Sequence, residues 1–219
     1  MVAVSLKKKR PDLSPILDIL EEQGDEIFRD ADSIALEIDM DKEIVKRVFA
    51  FAEKYHKPVF AVVSNMSIAV ERRDFLRSCA CFVCNQQEAG ILFSEDYEGK
   101  TPAELETVLS HHVQAAALPG IVVTMGEQGA VYATLDGERG WCPAKRVDVK
   151  DTTGAGDAFF AGVTMGLTYG KTLAESCTIG ARLAASVICT SENVCPRFLP
   201  SEFGLKAPDS DDGQLALEL

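Results

Sequence analysis

Short apolar runs alternate with helix-patterned segments along most of this chain, and that alternation constrains the fold more than any other feature. Leu13, Ile16, Leu17 and Leu20 recur at helical spacing, and residues 33–38 form a short apolar run bounded by acids, as a buried strand does. The rhythm repeats. A helical pattern through Val45, Val48, Phe49 and Ala52 leads to an apolar run at 58–63, a short helix ending near Leu76 leads to 81–84, and a helix over 103–116 leads to 120–124. Continuous apolar strands separated by helices argue for a parallel sheet covered on both faces. The rhythm then changes: residues 130–134, the turn pair Asp136-Gly137 and residues 141–149 read as short antiparallel strands. Two helices follow, over 157–169 and 173–189, and then a tail over 196–219 rich in Pro, Ser and Asp. No internal repeat or linker divides the chain, so one α/β domain over 1–200 is expected, with a partly disordered tail at 201–219.

Composition bounds the function. Of 219 residues, 47% are hydrophobic and 26% charged, as in ordinary globular proteins, and the formal charge is −12. An acidic whole disfavours nucleic acid and anionic lipid, so a small anionic ligand needs a local positive site. The run Lys7-Lys8-Lys9-Arg10 reads as an exposed turn. No run approaches a membrane span, and the charges at the start follow the apolar stretch, the reverse of a signal peptide; a cytoplasmic location is expected. Seven cysteines, several within apolar runs, read as reduced buried thiols. Cys81 and Cys84 have CxxC spacing, which raises a redox or zinc reading, but no second pair or suitable histidine follows, and Cys79 and Cys81 read as alternate residues of one buried strand. His56, His111 and His112 stand among polar neighbours and read as solvated.

The chemistry concentrates in Asp151-Thr152-Thr153-Gly154-Ala155-Gly156-Asp157-Ala158-Phe159-Phe160-Ala161-Gly162. Glycines opening a helix expose unpaired backbone N–H groups, and the helix dipole adds partial positive charge, so the pattern suits an anion. The plainer reading makes Asp157 or Thr153 an N-cap. A carboxylate beside an anion site is unfavourable unless it takes a proton from an attacking hydroxyl, which makes Asp157 a candidate base. Neither a GxxxxGK[ST] loop nor a GxGxxG turn behind a first strand is present.

This twelve-residue stretch resembles the C-terminal signature of the PfkB, or ribokinase-like, carbohydrate kinases. The resemblance implies that Asp157 is the base toward a substrate hydroxyl and that the backbone of Gly154, Ala155 and Gly156 forms the anion hole. Two further segments are similar to that family's ATP-site motifs. Asn85-Gln86-Gln87-Glu88 matches N-x-x-E, implying that Asn85 and Glu88 act around magnesium and phosphate through water; the same spacing also makes a capping box. Thr124-Met125-Gly126-Glu127-Gln128-Gly129 matches T-x-G-x-x-G, implying that Thr124, Gly126 and Gly129 lie along the nucleotide. The family likeness further implies an adenine pocket between this turn and the helix around Ala181 and Ala185, and a monovalent cation such as potassium near Asp151 and Thr153. The expected fold is a three-layer α/β/α sandwich with a mostly parallel sheet and an antiparallel edge. It lacks the N-terminal strands and lid of the family, roughly its first third. The expected function is ATP- and magnesium-dependent phosphorylation of a sugar, sugar phosphate or nucleoside. The alternative is a nucleotide-binding module without turnover, and a homodimer or partner chain is expected to cover the open sheet edge.

Overall fold

The apolar runs become the strands of one six-stranded sheet. The computed structural model describes residues 14–63, 65–190, 195 and 198–205. In chain order the elements are α1 (Ser14–Asp30), β1 (Ile34–Glu37), α2 (Lys42–Tyr55), β2 (Val59–Val62), α3 (Met66–Val70), α4 (Arg73–Ser78), β3 (Cys81–Asn85) and α5 (Gln86–Phe93). Then come α6 (Pro102–Ala116), β4 (Gly120–Thr124), β5 (Ala130–Thr134), β6 (Arg139–Cys142), α7 (Ala155–Thr168) and α8 (Leu173–Ile188). The strands lie in sequence order, β1 to β4 parallel and β4-β5-β6 antiparallel.

Alternation along each strand sorts side chains into two layers. Val59, Ala61, Phe82, Cys84, Ile121 and Val123 pack against α1 to α6 on one face. Phe60, Cys81, Val83 and Val122 meet Phe159, Val163, Leu173, Cys177 and Ala181 of α7 and α8 on the other. Both layers cover β2, β3 and β4, which is why those strands are continuously apolar in sequence. On β1 only Ile34 and Leu36 are buried, while Ala35 and Glu37 are exposed, so the α7–α8 layer stops short of that edge. Helices α5, α6 and α8 each start with a complete capping box, from Asn85, Thr101 and Thr172 with Glu88, Glu104 and Glu175. Each such cap is worth about 1 kcal/mol.

Several expectations change. The strand expected over 141–149 ends at Cys142, because Pro143 has no N–H to continue the ladder, and residues 143–149 form no regular element. The short helix before β3 is two helices, α3 and α4. Cys79 is the residue that ends α4 and not a strand partner of Cys81. Past residue 200 the chain remains packed as far as Leu205, 2% exposed and clustered with Ile179 and Leu183 of α8. The rest of the expected tail and the Lys7–Arg10 run lie outside the described residues. No helix among the described residues is long and apolar enough to cross a membrane.

Candidate active site

The residues singled out from sequence gather at the carboxyl end of the parallel strands, where an α/β sheet presents its loops to ligands. Asn85 ends β3 and caps α5. Its Oδ1 accepts from the Glu88 N–H at 2.8 Å, and Glu88 Oε2 accepts from the Asn85 N–H at 2.7 Å. The capping-box reading is therefore real, yet it leaves the second Glu88 oxygen free of the cap. Burial pushes the Glu88 carboxyl above its ordinary range; the Asn85 amide opposes this and the nearby Asp39 charge adds to it. Asp39 follows β1, and its Oδ1 is buried with no hydrogen-bond partner among the described residues. Two carboxylates near enough for their charges to interact, one with an orphaned oxygen, offer hard oxygen donors of the kind magnesium takes.

Thr124 ends β4 beside Asn85 in the parallel register, and its hydroxyl donates to the Cys84 carbonyl at 3.4 Å. The chain then turns through a short 3-10 segment, Gly126–Gln128. Gly129 follows at φ 97°, where a Cβ would stand 2.1 Å from the Cys142 carbonyl oxygen, so only glycine lets the end of β6 pass this close.

At the start of α7 the N-cap is Gly154, at φ 79° and with no side-chain cap, so Asp157 is the third residue of the helix and not its cap. Asp151 accepts from the Thr153 N–H at 2.8 Å and holds the preceding turn; that bond is the main reason its carboxyl lies below the ordinary range. The Ala155 N–H is taken by the Thr152 carbonyl at 3.2 Å. The next two amides, of Gly156 and Asp157, have no partner among the described residues. The unpaired donors of this first turn are therefore those of Gly156 and Asp157, because a helix leaves its first-turn donors unpaired and the turn before it already uses the Ala155 amide.

Two clefts adjoin at Thr124 and Gly126. One, about 1040 Å³, runs along Asn85, Gln86 and residues 94–98. The other, about 960 Å³, runs from Gly126–Gln128 and Gly129 past Trp141, Lys145 and Arg146 to Gly156 and to Ala181, Ala184 and Ala185 of α8. Its apolar wall includes Trp141, 49% exposed, and Val149, 60% exposed, an unusual degree of exposure that suits a flat aromatic ligand. Lys145 and Arg146 provide the local positive charge that an acidic chain needs for an anion. Asn85, Thr124, Gly126, Gly129, Ala155 and Gly156 all line these clefts, whereas Gly154, Asp157, Glu88, Asp151 and Thr153 line neither.

Trp141, Lys145 and Arg146 carry no motif and come together on one cleft only through folding, as the Asp39 charge comes within reach of Glu88. The Trp141 indole N–H donates to the Gln128 carbonyl at 2.7 Å, which fixes the ring beside the 3-10 segment. His112 departs from its solvated reading: it stacks on Phe93 with centroids 4.4 Å apart and pairs with Glu95 at 3.1 Å. Cys81 and Cys84, three residues apart on one strand, belong to opposite layers and cannot share a metal. Among the described residues no group of three or more His, Cys, Asp or Glu could hold a metal ion. Burial pushes the Cys79 and Cys81 thiols up to about 12.

The sequence matches the pfkB family carbohydrate kinase domain over residues 12–196. It is 32% identical over 186 residues to a guanosine-inosine kinase of Exiguobacterium acetylicum, a match covering 84% of this chain and 60% of that protein. A probable sugar kinase from Rhizobium etli superposes with a TM-score of 0.71 at 26% identity, over 85% of this chain and 58% of the other. The ribokinase of Arabidopsis thaliana, solved with ribose and ATP, superposes with a TM-score of 0.68 at 22% identity, over 78% of this chain and 54% of that one, a likeness of fold. The chain thus spans about 60% of the length of the curated relative from Exiguobacterium.

Proposed function

Since the chain belongs to the pfkB family of carbohydrate kinases, we propose that it transfers the γ-phosphoryl group of ATP to a hydroxyl of a sugar, sugar phosphate or nucleoside. One observation carries this reading: two unpartnered amides, of Gly156 and Asp157, open α7 at the end of a cleft, with the Asp157 carboxylate on the same first turn. The amides hold the transferring phosphoryl oxygens, and Asp157, which is exposed, takes the proton from the attacking hydroxyl. Lys145 and Arg146 draw the nucleotide phosphates into the cleft, and the apolar wall formed by Trp141, Val149 and the α8 alanines takes the base. Thr124, Gly126 and Gly129 shape the turn along which the phosphates lie.

Glu88, bonded to Asn85 and within reach of the Asp39 charge, would hold magnesium through water. When bound, the ion offsets the charge of the phosphates. Asp151, one carboxylate oxygen already engaged by the Thr153 amide, would hold a monovalent cation such as potassium together with the Thr153 turn. The buried, unpaired thiols agree with a reducing, cytoplasmic setting.

A second reading, nucleotide binding without turnover, draws on the match covering only 60% of the Exiguobacterium kinase. Measuring ADP release from ATP across a panel of sugars, sugar phosphates and nucleosides, with Asp157→Asn as control, separates the two. Phosphoryl transfer predicts turnover with at least one acceptor, reduced roughly 10²- to 10⁴-fold by Asp157→Asn. That variant's stability should change by no more than about 1 kcal/mol, the worth of a first-turn acid, because Gly154 is the cap. ATP binding with no acceptor phosphorylated would leave only the second reading.

A further inference from the structure

Helix α4, counting Arg72 at its N-cap position, carries three arginines, and each reaches a backbone carbonyl of another part of the fold. Arg73 donates to the Leu92 carbonyl at 2.8 Å and Arg77 to the Ala116 carbonyl at 3.0 Å, in the last turns of α5 and α6. A cation at the carboxyl end of a helix satisfies an orphaned carbonyl and meets the negative end of the dipole, so the fold alone explains these two bonds. Arg72 is different. Its Nη1 donates to the Ile38 carbonyl at 3.1 Å and to the Met40 carbonyl at 2.7 Å, the residues on either side of Asp39. Neither carbonyl belongs to a helix or a strand.

The segment so held needs holding. Residues 37–41 read Glu-Ile-Asp-Met-Asp, three acids in five positions where β1 ends, and their mutual repulsion favours spreading into solvent. Asp39 Oδ1 is buried with no hydrogen-bond partner, a state that hydration would relieve. The two ends of the segment are fixed. Ile38 is fully buried and its N–H donates to the Val62 carbonyl at 3.1 Å, while Asp41 caps α2 by accepting from the Glu43 N–H at 2.8 Å. Between them the turn's own bond, from the Met40 N–H to the Glu37 carbonyl, is 3.3 Å long. Arg72 adds two bonds there, one on each side of Asp39, and brings a guanidinium against the acidic turn. A residue that served only to neutralise Asp39 would bond its carboxylate. Arg72 bonds the flanking backbone instead, which fixes where the carboxylate stands and leaves Oδ1 available.

We propose that Arg72 is a positioning residue for the metal site: by clasping the Ile38 and Met40 carbonyls it keeps Asp39 within reach of Glu88. This rests on the magnesium reading of Glu88 given above. Arg72 lines neither cleft, so its effect passes through Asp39, whose charge acts on Glu88.

Titration of magnesium into the full chain, with a non-hydrolysable ATP analogue present, tests the proposal in Arg72→Ala, Asp39→Ala and the double variant, alongside Arg73→Ala, Arg77→Ala and Glu88→Gln. Arg72→Ala should weaken magnesium binding about tenfold, the low end of what losing a group that orients a metal's ligands costs. In the Asp39→Ala background the same substitution should change the affinity by less than about twofold, since residues that act as one unit are not additive. Arg73→Ala and Arg77→Ala should lower stability in chemical denaturation and leave magnesium affinity unchanged. If Arg72→Ala does not fold, Arg72→Lys, which keeps the stem and the charge but lacks the planar donors, takes its place in the same cycle. Losses that multiply in the double variant overturn the proposal, because Arg72 then acts apart from Asp39. So does full magnesium affinity in Arg72→Ala while Glu88→Gln binds poorly, and so does an equal loss in Arg73→Ala or Arg77→Ala, which makes Arg72 one brace among three. Unchanged magnesium binding in Glu88→Gln refutes the magnesium reading itself, and the role of Arg72 with it.

Discussion

Replacing Gly156 by alanine separates what the fold needs from what the ligand needs. A Cβ built at this position meets nothing within 4 Å, and Gly156 is not among the glycines at positive φ. It is the second residue of α7, where glycine costs about 0.5–1 kcal/mol relative to alanine. The fold alone therefore favours alanine, and Gly156→Ala should raise stability by about 0.5–1 kcal/mol, or roughly 1–4 °C in Tm for a chain of this size. Yet Gly156 lines the cleft beside two unpartnered amides, and a methyl group there occupies space that phosphate oxygens need. Weakening one hydrogen bond to a charged oxygen costs about 1.5–3 kcal/mol, so ATP should bind roughly 10- to 100-fold more weakly. Gly154→Ala provides the contrast: at φ 79° alanine is strained by about 1–2 kcal/mol, and stability should fall. Thermal unfolding followed by circular dichroism and calorimetric titration with ATP read the two effects separately. A higher Tm with unchanged ATP affinity would refute the anion cradle, and a lower Tm for Gly156→Ala would refute the structural half of the reasoning.

Three other outcomes are expected. Gly162→Ala places a Cβ 2.6 Å from the Gly180 Cα at the α7–α8 crossing, against backbone that cannot swing aside, so overpacking of about 2–3 kcal/mol less about 1 kcal/mol of helix propensity should lower stability by about 1–2 kcal/mol in chemical denaturation. Glu88 is raised by burial above all, so the folded chain holds that proton more tightly than the unfolded one; ionised Glu88 weakens the fold at neutral pH, and the penalty lifts as pH falls through the raised value. Magnesium needs the ionised form, so magnesium affinity, titrated with nucleotide present, should fall as pH drops through that value, and Glu88→Gln should bind magnesium poorly without losing stability. Cys79, Cys81 and Cys84, buried and with raised thiols, should remain unalkylated by iodoacetamide in the native protein, as mass spectrometry would show.

What the sequence reveals follows from which physical signals are local. Strands β2, β3 and β4 are legible because helices cover both their faces, which forces runs such as Val59–Val62 to be apolar throughout. The start of α7 is legible because glycine and acid at a helix opening have few other uses. Where a signal depends on what packs against a residue, it disappears from the sequence. Residues 143–149 look like a strand because Val147 and Val149 alternate with charges, yet those valines line a cleft. His112 looks solvated from its neighbours in sequence, while its ring is stacked on Phe93, which lies on another helix. Asp39 resembles any acid in a turn, and only the fold brings its buried oxygen close enough for its charge to act on Glu88. The backbone half of the proposed phosphoryl site is thus written locally, in one stretch around Gly156. The charges that would steer nucleotide and metal, Lys145 and Arg146 on one cleft and Asp39 near Glu88, are placed only by folding, which is why motifs point to the first half and not to the second.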